Sequence, residues 1–274
     1  MRVARSLLIT GLVFLYLPLL ILIIYSFNES RLVTLWTEFS VKWYIELLHD
    51  EQLVNAFFLS VKIACATAFM AVLLGTVAAY ILVKFGRFPG HTLFSSMIVA
   101  PLVMPEVITG LSLLLLFVGL NDLMGWSSSR GALTIWIAHV TFSVAFVTII
   151  VSSRLREMDG SLEEAAMDLG ATPLKVFFVI TLPLVMPALV SGWLLAFTLS
   201  LDDLVIASFV SGPGSSTLPM VIYSSVRLGV SPKINALATI FVALILAGSF
   251  AVWWSMQRWT AYSAARNPAE GPHK

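Results

Sequence analysis

Three carboxylates stand within or beside long apolar stretches of the sequence, where they could bind a cation. Glu106 lies near the middle of an apolar run, between Pro105 and Gly110. A carboxylate at that depth in a membrane costs about 3 kcal/mol unless it faces a cavity or a partner. Asp202 and Asp203 stand at the end of another apolar run. Adjacent helical residues point about 100° apart, so one of these acids could line a path while the other caps or pairs.

Each acid also has a structural interpretation. Glu106 could pair with a neighbouring helix, and Asp202-Asp203 could be an ordinary helix terminus, although acids at a C-terminal end oppose the helix dipole. Pro101, Pro105 and Gly110 should loosen the backbone around Glu106, as at sites that line a pathway. We favour the hypothesis that Glu106 and one of the two aspartates face the path of a cationic substrate.

A polar segment between two apolar runs has the pattern of a helical hairpin. Ser161 and Glu164 have the spacing of a capping box, so a short helix is predicted to begin at Leu162. Gly170 suits the left-handed position that ends a helix, and Thr172-Pro173 has the pattern of an N-cap and first helical residue. The second helix is predicted to run, without a charge beyond Lys175, into the apolar run that ends near Leu201. This hairpin is either a docking element or an ordinary solvated connector.

The short helix of this hairpin is amphipathic. Its apolar face is formed by Leu162, Ala165, Ala166 and Leu169. Its charged residues, Glu163, Glu164 and Asp168, are predicted to lie toward the first turns or on the solvent side.

The fixed positions of this hairpin resemble the EAA loop of permease subunits in binding-protein-dependent ABC importers. Glu164-Ala165-Ala166 is followed at the family's distances by Gly170 and by Ile180, Leu182 and Pro183. In that family the short helix sits in a groove of a cytoplasmic ATPase subunit and passes its closure to the membrane helices. The resemblance therefore implies that Glu164, Ala165, Ala166 and Gly170 couple this chain to an ATPase.

Further segments resemble the putrescine and spermidine importer permeases. These segments are residues 100–110 and 197–214, and residues 31–36 look closer to the putrescine-type subunit. The resemblance implies a type I ABC importer permease fold with six transmembrane helices. It also implies a second permease subunit, a cytoplasmic ATPase dimer and a periplasmic polyamine-binding protein as partners. ATP and Mg would be bound by that ATPase, and no cofactor is expected in this chain.

The composition independently predicts an all-α integral membrane protein. The 274 residues are 59% hydrophobic and only 11% charged, with a mean hydropathy of +0.95, whereas soluble domains carry about 25% charged residues. Six apolar runs are long enough to span a membrane. They are residues 7–27, 63–83, 92–120, 132–151, 176–201 and 234–257. Residues 1–260 are predicted to form one membrane domain and residues 261–274 a frayed cytoplasmic tail.

The lysines and arginines predict the orientation in the membrane. With both termini in the cytoplasm, the cytoplasmic segments hold the larger share of the 16 basic residues. The cytoplasmic set is Arg2, Arg5, Lys84, Arg87, Arg154, Arg156, Lys175, Arg258, Arg266 and Lys274. This orientation places Glu164 on the side where an ATPase could reach it. On the outer side, Trp36, Trp43 and Tyr44 are predicted to form an interfacial helix with their rings at the headgroup level.

Several functions are disfavoured by missing motifs. The chain has no phosphate-binding loop of the Gly-x-x-x-x-Gly-Lys-Ser/Thr type, so it is not predicted to be an enzyme that hydrolyses ATP. A net charge of +1 argues against nucleic acid, and the lone Cys65 leaves no metal cluster. An ion-coupled secondary transporter, in which Glu106 and His139 relay protons, is the main rival. His139 is more often a packed, hydrogen-bonded residue in such a position.

Overall fold

A computed structural model describes residues 2–32, 35–86, 88–124, 130–229 and 231–266. Some sequence predictions therefore lie outside the described residues: Val33 and Thr34 of the putrescine-like segment, the basic residue Arg87, and residues 267–274 of the predicted tail. Helix continues from the last span to Arg266, so the described beginning of that tail is helical.

Nearly every residue that the structure describes belongs to a helix or a short connection. The helices are α1 (Arg2–Ser26), α2 (Lys42–Leu48), α3 (Glu51–Lys84), α4 (His91–Val103), α5 (Glu106–Met124), α6 (Ala132–Glu157), α7 (Ser161–Asp168), α8 (Pro173–Val176), α9 (Leu182–Asp202), α10 (Val205–Val210), α11 (Leu218–Leu228) and α12 (Pro232–Arg266). A π-helical turn, Phe177–Thr181, joins α8 to α9. The all-α prediction is confirmed.

Each predicted span coincides with helix. The part of the chain that the structure describes contains five helical segments that are long and apolar enough to cross a membrane: Ala4–Ser26, Glu51–Lys84, Glu106–Leu123, Ala132–Glu157 and Pro173–Asp202. The sixth predicted span lies in α12, whose apolar part includes Pro232–Gly248. A short helix, α11, precedes this span.

Two predicted spans depart from a regular α-helix next to a proline. The third predicted span divides into α4 and α5, because Met104 adopts an extended conformation before Pro105. The fifth contains the π turn, in which the Leu182 N–H donates to the Phe177 carbonyl. Pro183 cannot donate to the carbonyl four residues earlier, so the helix widens for one turn before it continues. The helix predicted to run from Pro173 to near Leu201 is therefore present as Pro173–Asp202, with one wider turn inside it.

The chain divides into two compact units, and the larger, Gln52–Ser224, contains all the predicted site residues. In its core, α3 presents a stripe of small residues, including Ala68, Ala71 and Ala79, to α6 and α9. Small residues allow helix backbones to approach closely where the membrane provides little hydrophobic drive. Gly75 lies on this stripe against Val147 of α6, which also contacts the position of Gly192 on α9.

We expect Gly75→Ala to destabilise this three-helix contact. A Cβ at position 75 would lie 2.8 Å from Val147 Cγ1 and 3.2 Å from the Thr148 backbone nitrogen. Such overpacking costs roughly 1–3 kcal/mol, and the thermal midpoint of the purified protein in detergent should fall. Gly119→Ala is the matched control, since a Cβ there meets nothing within 4 Å and helical alanine is favoured over glycine. Equal midpoints for the two variants would contradict the expectation.

The smaller unit, Met1–Glu51 with Ser225–Lys274, contains the segment that follows the first span. Trp43 in α2 is 2% exposed, and its indole N–H donates to the Asn28 carbonyl at 2.7 Å. Tyr44 shares a 2.6 Å hydrogen bond with Ser26, while Trp36 is 46% exposed. A helix, α2, is present at Trp43 and Tyr44 but does not include Trp36, and Trp43 packs inside this unit instead of projecting toward headgroups. In the same unit, Lys233 Nζ forms an ion pair with Asp50 Oδ2 at 3.2 Å.

Candidate functional site

The short helix α7 starts with a cap that the sequence analysis did not identify. The Ser161 backbone N–H donates to Asp159 Oδ1 at 3.0 Å, and the Glu164 N–H donates to the Gly160 carbonyl at 3.1 Å. The predicted capping box between Ser161 and Glu164 does not form. A carboxylate two residues before Ser161 competes for the free N–H, so the helix begins one residue before the predicted Leu162.

We expect the Asp159 cap to make the start of α7 sensitive to pH. Asp159 lies outside the spanning helices, and hydrogen bonds from the backbone and side chain of Ser161 lower its pKa. Because the folded-state pKa is lowered, the stabilisation is present above about pH 4 and is lost as the pH falls through the lowered pKa. At neutral pH, Asp159→Ala should therefore speed amide hydrogen exchange at Ser161, while Asp159→Ser, which retains a capping oxygen, should not. Unchanged exchange in Asp159→Ala would show that this cap contributes nothing.

The end of α7 is a glycine-dependent turn, as predicted. Gly170 has a φ of +86°. The Ala171 N–H donates to the Ala166 carbonyl at 3.0 Å, and the Gly170 N–H donates to the Met167 carbonyl at 2.9 Å. These two bonds form a Schellman motif, which requires the left-handed residue. Thr172, extended at ψ 152°, then serves as N-cap for Pro173 at the start of α8.

The predicted apolar face of α7 is open to its surroundings. Leu162 is 48% exposed and Leu169 is 90% exposed, and Ala165 is exposed as well. Glu164 is also exposed, and its carboxylate makes no hydrogen bond or ion pair within the described part of the chain. A helix with exposed leucines and an unpaired acid has the surface expected of a docking element. We name this surface, formed by Leu162, Glu164, Ala165 and Leu169, the docking face.

The opposite side of α7 is fixed to the membrane helices by Glu163. Lys84 Nζ, in the last turn of α3, donates to Glu163 Oε2 at 2.7 Å. Thr181 Oγ1, in the π turn, donates to Glu163 Oε1 at 2.7 Å. Glu163 lies in the first turn of α7, which is one of the two predicted placements, but it does not face solvent, since its side chain is only 14% exposed. Ala166, one turn later, is half-buried, so it faces inward more than Ala165 does.

Glu106 occupies the first turn of α5, next to the break at Met104 and Pro105. Its side chain is exposed in this chain. The N-terminal end of a helix favours a negative charge, so the local backbone accommodates the carboxylate without a basic partner. Gly110 has a different role from the predicted loosening of the backbone. A Cβ there would lie 2.7 Å from Phe209 and 3.3 Å from the Ile206 Cα, so Gly110 allows α5 to pack against α10.

The two adjacent aspartates have different surroundings. Asp203 accepts from the Ala207 N–H at 2.8 Å and lies 3.3 Å from His139 Nε2, and its side chain is 8% exposed. Asp202, the last residue of α9, is exposed. His139 is buried and shares a 2.7 Å hydrogen bond with Ser200, which confirms that it is a packed, hydrogen-bonded residue. Asp203 therefore caps and pairs, and Asp202 is the acid that remains available.

Residues 71–260 match the family model described as the inner membrane component of binding-protein-dependent transport systems. The matched region includes α7 with its docking face, Glu106, and Asp203, which caps α10. The chain belongs to this permease family.

Curated relatives of this permease share most of its length. It is 63% identical over 92% of its chain and 89% of the relative to the putrescine transport system permease protein PotI of Escherichia coli K12. It is 42% identical over 85% of its chain and 86% of the relative to the spermidine/putrescine transport system permease protein PotC of the same strain.

Solved structures support the fold of the permease. A chain of a bacterial ABC transporter that imports the acidic polysaccharide alginate superimposes with a TM-score of 0.69 at 19% identity, covering 94% of this chain and 95% of the other. A chain of the MetNI methionine ABC transporter superimposes with a TM-score of 0.59 at 15% identity, covering 77% of this chain and 95% of the other. The type I importer permease fold is thereby confirmed, with five spanning helices among the described residues and a shorter apolar helix in α12.

The permease contains three contact residues that the sequence analysis did not assign to the site. Lys84 was used only to predict orientation, Glu163 was placed either in the first turns or toward solvent, and Thr181 was an unfixed position inside the matched motif. Thr181 offered the one available signal, because a hydroxyl one residue before Leu182-Pro183 lies in the turn that proline distorts. Within the described part of the chain, no cluster of histidine, cysteine and acids could hold a metal ion.

Proposed function

We propose that this permease is one of two membrane subunits of an ATP-driven putrescine importer and forms half of the translocation path. The observation that carries the proposal is the 63% identity, over nearly the whole chain, to a putrescine transport permease. The second subunit is a different permease chain, and a periplasmic polyamine-binding protein delivers the substrate. Both termini and the docking face lie on the cytoplasmic side.

The docking face is the contact with a cytoplasmic ABC ATPase dimer, which binds ATP and Mg. The exposed leucines of α7 and the unpaired Glu164 support this role. Gly170 turns the chain immediately after the docking face, so movement of α7 is passed directly to α8 and to the span that follows. Closure of the ATPase dimer turns the path outward to accept the amine, and hydrolysis returns it inward.

Putrescine carries two ammonium groups, and the path offers carboxylates to replace part of their hydration. Glu106 and Asp202 are exposed acids at helix ends within or beside the membrane spans. Asp203 contributes to this region indirectly, since its carboxylate caps α10 and lies 3.3 Å from His139 Nε2. Spermidine is the competing substrate because the 42% identical relative is named for both amines. Family membership excludes the ion-coupled secondary transporter.

Uptake of radiolabelled putrescine tests the proposal. Cells that express this chain with its neighbouring importer genes should accumulate putrescine, and ATP depletion should abolish the uptake. An excess of unlabelled putrescine should compete more strongly than the same excess of spermidine. Uptake that survives ATP depletion would contradict the ATPase-coupled mechanism, and stronger competition by spermidine would reassign the substrate.

We expect Glu106→Gln to raise the putrescine concentration needed for half-maximal uptake about tenfold. The substitution keeps the side-chain size and removes one charge that an ammonium group would meet, a loss worth about 1.5 kcal/mol or more. Asp122→Asn is the control, because Asp122 is an exposed acid near the other end of α5. If Glu106→Gln left the half-maximal concentration unchanged, Glu106 would act only as a charge that complements the helix dipole.

A further inference from the structure

Glu163 is the one acid of α7 that faces the membrane helices, and each of its carboxylate oxygens has its own partner. Lys84 Nζ lies 2.7 Å from Oε2 and Thr181 Oγ1 lies 2.7 Å from Oε1. The three side chains are shielded unequally: Thr181 is 1% exposed as a residue, and the Glu163 and Lys84 side chains are 14% and 22% exposed. One carboxylate thus joins α7 to the end of α3 and to the start of the span containing α9.

The position of Thr181 depends on the π turn. Pro183 removes the donor that would bond to the carbonyl of Val179, and the backbone forms the wider Leu182-to-Phe177 bond instead. A π turn adds one residue to a helical turn and rotates the following side chains relative to a regular α-helix. In this geometry the Thr181 hydroxyl points at Glu163 instead of bonding to its own helix, as Thr76, Thr148 and Thr198 do.

The ion pair with Lys84 differs from an ordinary surface pair. Arg154 and Glu157, three residues apart on α6, form an exposed ion pair for comparison. The Arg154 Nη1 to Glu157 Oε2 distance is 3.4 Å, and the side chains are 43% and 63% exposed. Exposed pairs of that kind contribute little, because water screens them. The Lys84–Glu163 pair is shorter and better shielded, and a short charge-assisted bond constrains the relative positions of its two helices.

We propose that Lys84, Glu163 and Thr181 are positioning residues that transmit movement of the docking face to two membrane spans at once. This inference rests on the proposed function, since it requires an ATPase that moves α7. On the exposed side of α7, Glu164 and its neighbours receive the movement. On the side that faces the membrane helices, Glu163 transmits it. Without the bridge, α7 still docks, but it moves without carrying α3 and the π turn with it.

The test uses the complete importer complex in liposomes and measures both putrescine uptake and ATP hydrolysis in each preparation. The variants are Lys84→Met, Glu163→Gln, the two combined, and the charge exchange of Lys84→Glu with Glu163→Lys. Thr181→Val removes the hydroxyl, and Thr181→Ser retains it. Glu157→Gln is the matched control, since it neutralises an acid in an exposed pair. Copurification of the ATPase with each variant measures assembly.

We expect the ratio of putrescine imported to ATP hydrolysed to fall on the order of tenfold in Lys84→Met and Glu163→Gln, the factor associated with one charge-assisted hydrogen bond. The double variant should be no worse than either single variant, because both remove the same bond. The charge exchange should restore at least part of the ratio. Thr181→Val should lower the ratio, and Thr181→Ser and Glu157→Gln should leave it near the wild-type value.

A ratio that stays at the wild-type value in every variant overturns the inference. So does a loss of uptake fully accounted for by less assembled complex, because a merely structural role lowers uptake and hydrolysis together. Failure of the proposed function looks different: the wild-type complex itself would then show no ATP-dependent uptake of putrescine.

Discussion

Glu164→Lys should reduce ATP-dependent putrescine uptake by about 100-fold while leaving the permease in the membrane. Glu164 is exposed on the docking face, so its replacement disturbs no packing within this chain. Reversing a charge at an interface costs several kcal/mol when it meets the partner's complementary group, and each 1.4 kcal/mol corresponds to a factor of ten. A lysine in the first turn of α7 also opposes the helix dipole, which costs a further 0.3–1 kcal/mol or so.

The control for this change is Glu157→Lys, which reverses the same charge at an exposed site on α6. It should leave uptake within about fivefold, since exposed charges contribute at most about 1 kcal/mol. The measurement is uptake normalised to the amount of permease in the membrane, together with copurification of the ATPase. Loss of copurification in Glu164→Lys alone would support docking through α7. Equal uptake by Glu164→Lys and the wild type would remove the coupling role from this helix.

Gly170→Arg should be the second severe variant, and two separate physical effects contribute to it. A non-glycine residue at a φ of +86° costs about 1–2 kcal/mol. A side chain at this position meets nothing within 4 Å in this chain, so an arginine would project into the space that a docked partner occupies. We expect uptake to be lost although the protein still inserts into the membrane.

Two smaller substitutions separate these effects. Gly170→Asn should retain most of the uptake, because asparagine tolerates the left-handed conformation. Gly170→Ala should show an intermediate loss, since it introduces the backbone cost with little bulk. Measured at equal amounts of permease in the membrane, uptake should decrease in the order Gly, Asn, Ala, Arg at position 170. If Asn and Ala were as inactive as Arg, close contact with the partner at position 170 would outweigh the backbone effect.

Local backbone preferences explain why the end of α7 was predictable. Gly170 and Thr172-Pro173 act through the dihedral angles of their own residues, so their roles can be read without knowing what lies nearby. The start of the helix was less predictable, because Asp159, Ser161 and Glu164 offer competing caps. The structure selects Asp159.

The sequence by itself determined the membrane class, the positions of the spans and the presence of a helical hairpin between two of them. Long apolar runs have only one stable solution in a bilayer, where every backbone polar group must be satisfied within the span. The break near Glu106 also followed from local chemistry, because proline restricts the residue before it.

Only the tertiary structure decided which polar side chains are available and which are already engaged. Lys84 and Glu163 are 79 positions apart in the chain, and His139 reaches Asp203 from another helix. Amphipathic spacing left Glu163 either in the first turns or toward solvent, and it could not distinguish Asp202 from Asp203, since it reports only which residues share a helix face. The partner on that face is set by how distant helices pack, and close approaches such as Gly75 on Val147 fix that packing.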